Sequence, residues 1–256
     1  MRPNPLALAL ALAFCSLPLS ALAQESAEPA ADAAPQDEAP AAAAAEEEES
    51  PVTWSLALTS DYVFRGITQT DYDPALQAGL TYTWGNGVYV GAWASNVDFG
   101  EDGPSIEFDS FLGWSHDVSD QFNLDLSLVH YSYFGEHDDY GSVDYTEVIG
   151  KGTWNEMLTL TLAYAPDYSN LDYSSFYINL GGSWEIGNEF SLNAGIGHSD
   201  FSDDNGSYND WNIGVSRAWG PATFALNYYD TDIDFDDGAE HNHASDQFVF
   251  SVTLGN

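Results

Sequence analysis

The chain has 256 residues, with 41 acidic side chains against 4 basic ones, a single cysteine and 14% aromatic residues. A net charge of −37 repels polyanions, which excludes nucleic acid as a partner and favours cations. Cys15 is the only cysteine, so the chain beyond it offers neither disulfides nor a thiol-based metal site.

Taken in chain order, residues 1–23 read as a cleaved export signal. Arg2 supplies the positive end, Leu6–Phe14 a short apolar core, and Ala21-Leu22-Ala23 a small-x-small exit before Gln24. The apolar stretch is too short to cross a membrane as a helix. Phe14 stands directly before Cys15, where lipidation needs a small residue. Residues 24–50 are mostly Ala, Pro, Glu and Asp, without an aromatic or β-branched side chain. Such a segment buries too little apolar surface to offset its chain entropy, so disorder is expected, with a plug or a wall tether as the functional alternative. The folded part is then residues 51–256, one domain. Nine of the 41 acidic residues lie in residues 1–50, which leaves 32 against Arg65, Lys151 and Arg217.

From Val52 onward the hydrophobic period is two. Phe122, Leu124, Leu126 and Leu128 alternate with Asn123, Asp125 and Ser127. Phe190, Leu192, Ala194 and Ile196 alternate with Ser191, Asn193 and Gly195. The pattern predicts an all-β chain of about twelve strands and no helices. Their expected spans are 52–66, 74–84, 87–97, 105–116, 121–134, 142–154, 157–166, 173–185, 188–199, 208–219, 221–231 and 245–254. Tight turns such as Gly85-Asn86-Gly87, Asn155-Glu156 and Gly220-Pro221 alternate with longer acidic loops near 67–73, 98–104, 135–141, 167–172, 200–207 and 232–244. Short turns at one end and long loops at the other, with an even strand count, predict a closed antiparallel up-and-down transmembrane β-barrel with both termini on the periplasmic side.

The aromatic residues follow the same division. Trp84, Trp114, Trp154, Trp184 and Trp219 sit near short turns. Tyr62, Phe64, Phe99, Tyr131, Tyr133, Phe134, Tyr164, Tyr168, Phe201, Tyr208, Tyr228 and Tyr229 gather at the opposite strand ends. Two such bands mark two membrane interfaces. The alternative is a set of core rings in a soluble sheet.

Leu58-Thr59-Ser60-Asp61-Tyr62-Val63-Phe64-Arg65-Gly66-Ile67, followed by Gln69-Thr70 and Asp73-Pro74-Ala75-Leu76-Gln77, resembles the opening signature of the TorF-type porin family of proteobacteria. Trp93–Asp98 resembles that family's next stretch, and Glu107 and Asp109 fall where its members carry paired acids. The resemblance covers nearly all of residues 52–254 and implies an outer-membrane barrel of porin type. The ending Leu254-Gly255-Asn256 departs from the terminal aromatic common in such barrels.

If the apolar parity faces lipid, an acidic polar parity faces inward. Glu107, Asp109, Asp125 and Glu185, with Arg65 and Lys151, are the candidate selectivity residues, and carboxylate rings favour cations. Arg65, Lys151 or Arg217 pairing with Glu107 and Asp109 across the interior is the structural alternative. The leading expectation is a small diffusion channel for cationic or neutral solutes. A non-conducting barrel with a structural, receptor or cation-binding role is the other. Asp232, Asp234 and Asp236, with His241 and His243, place oxygen and imidazole donors in the last long loop, but the spacing departs from an EF-hand, and a solvated acidic loop explains it equally. His116, His130, His137 and His198 lie near serines without a nucleophile motif, so no catalytic activity and no cofactor are expected. Outer-membrane lipid, the barrel-assembly machinery and small solutes or ions are the expected partners, and an oligomer is compatible with the sequence.

Overall fold

The computed structural model describes residues 50–135, 141–233 and 242–256. Residues 1–49, read from the sequence as an export signal and an acidic linker, lie outside them. Fourteen strands follow in chain order: β1 (Val52–Thr59), the short β2 (Val63–Phe64) and β3 (Ile67–Thr68), β4 (Ala75–Thr83), β5 (Val88–Asn96), β6 (Ile106–Ser119) and β7 (Phe122–Phe134). Then come β8 (Tyr145–Trp154), β9 (Leu158–Ala165), β10 (Ser175–Gly187), β11 (Phe190–Phe201), β12 (Ser207–Trp219), β13 (Ala222–Thr231) and β14 (Gln247–Gly255). All except β2 and β3 pair with their neighbours into one closed antiparallel barrel of twelve strands, shut by β1 against β14. The expected strand number and order are therefore present.

Closure at the seam is local chemistry. Leu56 faces Leu254 and Leu58 faces Val252 across β1 and β14. Asn256 accepts from the Trp54 N–H at 2.8 Å and donates to the Val52 carbonyl at 3.2 Å. Closing the sheet leaves no strand edge with unpaired backbone groups, the condition for a sheet in hydrocarbon. The short turns are built by residues that tolerate a left-handed backbone. Asn155 and Glu156 both have positive φ, at 49° and 57°, the signature of the hairpin turn that matches strand twist.

The two parities separate as expected. Leu58, Leu76, Leu80, Leu112 and Ile196 are more than half exposed on the outside, whereas Gln77, Thr81, Ser95, Glu107 and Asp109 are buried on the inside. The outer face is thus an apolar band and the inner face a polar one.

Three expectations need correction. First, strand one does not run to residue 66: β1 ends at Thr59, and the following segment turns inward as the β2–β3 hairpin, which forms a separate two-stranded sheet. Second, the ring set assigned to the long-loop rim is mostly interior. Tyr62, Phe64, Tyr131, Tyr133, Tyr168 and Phe201 are each at most 7% exposed and form one cluster inside the barrel mouth. They occupy the inward parity, so their position along the strand did not determine their face. The outward rings on that rim are Phe108, Phe134, Tyr164, Phe176 and Phe248, while Trp84, Trp154 and Trp219 ring the short-turn rim. Third, one helical element exists among the described residues, a single 3-10 turn at Tyr168–Asn170 that carries Tyr168 into the interior cluster.

Candidate functional site

The interior is the candidate site, and the inturned segment between β1 and β4 organises it. The Asp61 carboxylate pins the base of this segment, accepting from Thr68 Oγ1 at 2.6 Å and Thr70 Oγ1 at 2.7 Å. The Gln69 N–H donates to the Tyr62 carbonyl at 2.6 Å, and the Asp98 N–H donates to the Gln69 carbonyl at 2.8 Å. Burial raises the Asp61 carboxyl above its ordinary range, against the hydrogen bonds from Thr68 and Thr70. At the tip, Arg65 and Gly66 both take positive φ, 44° and 83°. A Cβ on Gly66 would collide with Thr231 Cγ2, so both backbone and space require glycine there.

Arg65 therefore projects across the barrel. Its Nη2 donates to both oxygens of Glu147 on β8 at 2.9 Å, and its guanidinium lies over the rings of Phe64 and Tyr177, at 4.3 and 4.1 Å. In the circular strand order β8 and β10 stand across the barrel from β1 and β4, which this segment connects, so the Arg65 side chain reaches across the interior. Burial works against the guanidinium charge, but the Glu147 carboxylate and the surrounding tyrosines outweigh it, and Arg65 holds its proton more tightly than usual. Tyr131 adds a hydrogen bond to Glu147 at 3.1 Å, with its ring stacked on Tyr145 at 4.2 Å. The long-loop half of the interior is thus an ordered plug of rings around one ion pair.

The other sequence candidates divide into separate groups. Glu107 and Asp109 are fully buried in the plug but do not receive Arg65. The Tyr133 hydroxyl donates to Glu107 at 3.0 Å. Arg65 goes instead to Glu147, an inward residue of β8 that sequence reasoning passed over, although it shares its parity with Lys151. Asp125 and Lys151 are direct cross-strand partners on β7 and β8, further towards the short turns, and the Tyr89 hydroxyl donates to Asp125 at 3.0 and 2.9 Å. Glu185 has the inward parity but sits exposed at the short-turn rim. Arg217 stands on the outer face, 3.4 Å from Glu189, with both side chains about half exposed or more, so it takes no part inside. Asp210, also unremarked in the sequence, accepts from the Tyr177 hydroxyl at 3.2 Å.

Of the loop candidates, Asp232 accepts from the Asn209 N–H at 2.6 Å, a bond that lowers its carboxyl pKa, and His243 lies 3.3 Å from Asp71. Asp234, Asp236 and His241 lie outside the described residues. Among the histidines, His116 stacks on Trp114, His130 meets Thr146 at 2.9 Å and His198 meets Asn209 at 2.9 Å, while His137 is outside the described residues.

A family model described as "Bacterial protein of unknown function (Gcw_chp)" matches residues 43–254. The chain belongs to this family. No curated protein matches its sequence. Among solved structures, the barrel is similar to the NanC porin, with a TM-score of 0.52 at 9% identity over 79% of this chain and 98% of that one. It is also similar to the "KdgM porin in complex with disordered oligogalacturonate", at 0.50 and 8% identity over 79% and 97%. At such identities the likeness is one of fold: a small closed barrel spanning nearly the whole of both porins. The matching family is the Gcw_chp one, not one of the TorF-type name, and the opening motif of that resemblance, residues 58–77, contains the inturned hairpin.

Proposed function

We propose that this protein is an outer-membrane channel for small cationic or neutral solutes, narrowed in its long-loop half by the inturned hairpin. The observation that carries the reading is the division of the barrel wall into an outward apolar band and an inward polar face rich in carboxylates. An apolar exterior of this kind is stable only in a bilayer, and rings of Asp and Glu pass cations in preference to anions. The export signal of residues 1–23 delivers the chain to that membrane, and the acidic linker of residues 24–50 stays in the periplasm. The likeness to porin barrels supports the reading at the level of fold. The Arg65–Glu147 pair sets the narrowest level. Asp125, Lys151 and Tyr89 line the wider part below it. No catalysis is assigned.

Swelling of liposomes carrying the refolded protein tests this. Glycine-sized neutral solutes and small cations are expected to enter several-fold faster than anions of equal size. Equal rates for cations and anions would remove the selectivity. The buried ring cluster favours a second reading, a non-conducting barrel acting through its loops, and liposomes that do not swell would select it.

A further inference from the structure

Glu107 and Asp109 lie two residues apart on the inward face of β6, and both are fully buried. Tyr133 donates to one Glu107 oxygen and the Tyr62 hydroxyl also bears on Glu107, but both oxygens of Asp109 have no hydrogen-bond partner. Asp109 thus lies buried without a donor, two residues along the same strand from a second buried carboxyl. The basic residues cannot supply one: Arg65 is bound to Glu147, Lys151 faces Asp125, and Arg217 is outside. Polar oxygens buried so completely need a partner, and in a chain of net charge −37 the available counter-charge is a cation from solution.

We propose that Glu107 and Asp109 bind one hard divalent cation of the Ca²⁺ class inside the plug. Two carboxylates balance a double positive charge, and calcium accepts a mixed oxygen shell in flexible geometry. Among the described residues no three or more His, Cys, Asp and Glu gather into a metal cluster. Carboxylate oxygens therefore supply part of the shell, and water and the neighbouring Tyr62 and Tyr133 hydroxyls complete it. The ion ties β6 to the hairpin through Tyr62, whose ring also packs on Trp93 at 5.3 Å. Asp109 is the residue the plug leaves without any donor, and the ion gives it one. The inference deepens the acidic-channel reading and rests on it for the ion's relevance to transport, although the binding stands by itself.

Full-length refolded protein, loaded with Ca²⁺ and freed of unbound ion by gel filtration, is expected to carry about one tightly held Ca²⁺ per chain. The E107Q/D109N variant is expected to fall to background. D203N/D204N, which neutralises two exposed loop carboxylates, is expected to retain the ion. Terbium replaces calcium in the wild type, and its emission, excited through Trp93 and Tyr62, gives a readout that does not depend on the variant folding. Ca²⁺ is expected to displace it. Metal-free wild type, equal metal in wild type and E107Q/D109N, or terbium emission that Ca²⁺ leaves unchanged would each overturn the site. Bound Ca²⁺ with silent bilayers upholds the site and removes the channel, and conduction without bound Ca²⁺ does the reverse.

Discussion

Arg65 has 6% of its side chain exposed and Glu147 none, so neither can turn to water if the other is lost. Removing one partner of a buried pair leaves an uncompensated charge and costs roughly 3–5 kcal/mol, whereas replacing both costs much less. Arg65→Met and Glu147→Gln are each expected to destabilise the barrel by that order, and the double variant by less than either alone. Urea midpoints read from the heat-sensitive gel mobility of the folded barrel check this, and a double variant as weak as the sum of the two would deny the coupling. Asp61 makes a pH prediction. Its folded pKa is raised, so its contribution to stability is fully present below the unfolded carboxylate value, about 4, and is lost as pH rises through the folded value. Asp61→Asn keeps an acceptor for Thr68 and Thr70 and is expected to flatten stability across that window. An unchanged slope in the variant would show that Asp61 is not its source. Neither pairing was legible in the sequence. Arg65 and Glu147 are 82 positions apart, and only the curvature of the closed sheet brings them within reach.

At the scale of the element, the period-two pattern carried nearly every barrel strand to within a few residues, because one inward and one outward face leave their mark on each. It failed at β1 for a physical reason. Tyr62, Val63, Phe64 and Ile67 have the residue types of a strand, and β2 and β3 are indeed extended. What stops β1 is the side-chain hydrogen bonding of Asp61 and the left-handed pair Arg65-Gly66, not a conventional turn dipeptide. The face of the hairpin is likewise set by the plug it enters. Replacing residues 61–72 with a flexible Gly/Ser segment removes the crossing hairpin while leaving all twelve barrel strands intact. Single-channel conductance is expected to rise several-fold, and current steps no larger than those of wild type would show that the hairpin is not the constriction.

For the whole molecule, the separation of outward apolar from inward polar residues was legible because strand geometry enforces it. The function of the rings was not: an aromatic near a strand end serves a membrane interface or an interior plug depending only on parity. Tyr131 at 0% exposure and Phe134 at 52% show the two outcomes three residues apart. The interior acids sit in a chain with few compensating bases, and the two inward cations, Arg65 and Lys151, face Glu147 and Asp125. In the proposed channel the remaining inward carboxylates, Asp210 and Glu185 among them, would set the sign of the field. The reversal potential of the refolded protein in planar bilayers under a KCl gradient reads that field directly. Discrete current steps with a reversal potential displaced towards the potassium equilibrium value are the predicted result. A reversal potential displaced towards chloride, or a silent bilayer with folded protein in it, would contradict the channel.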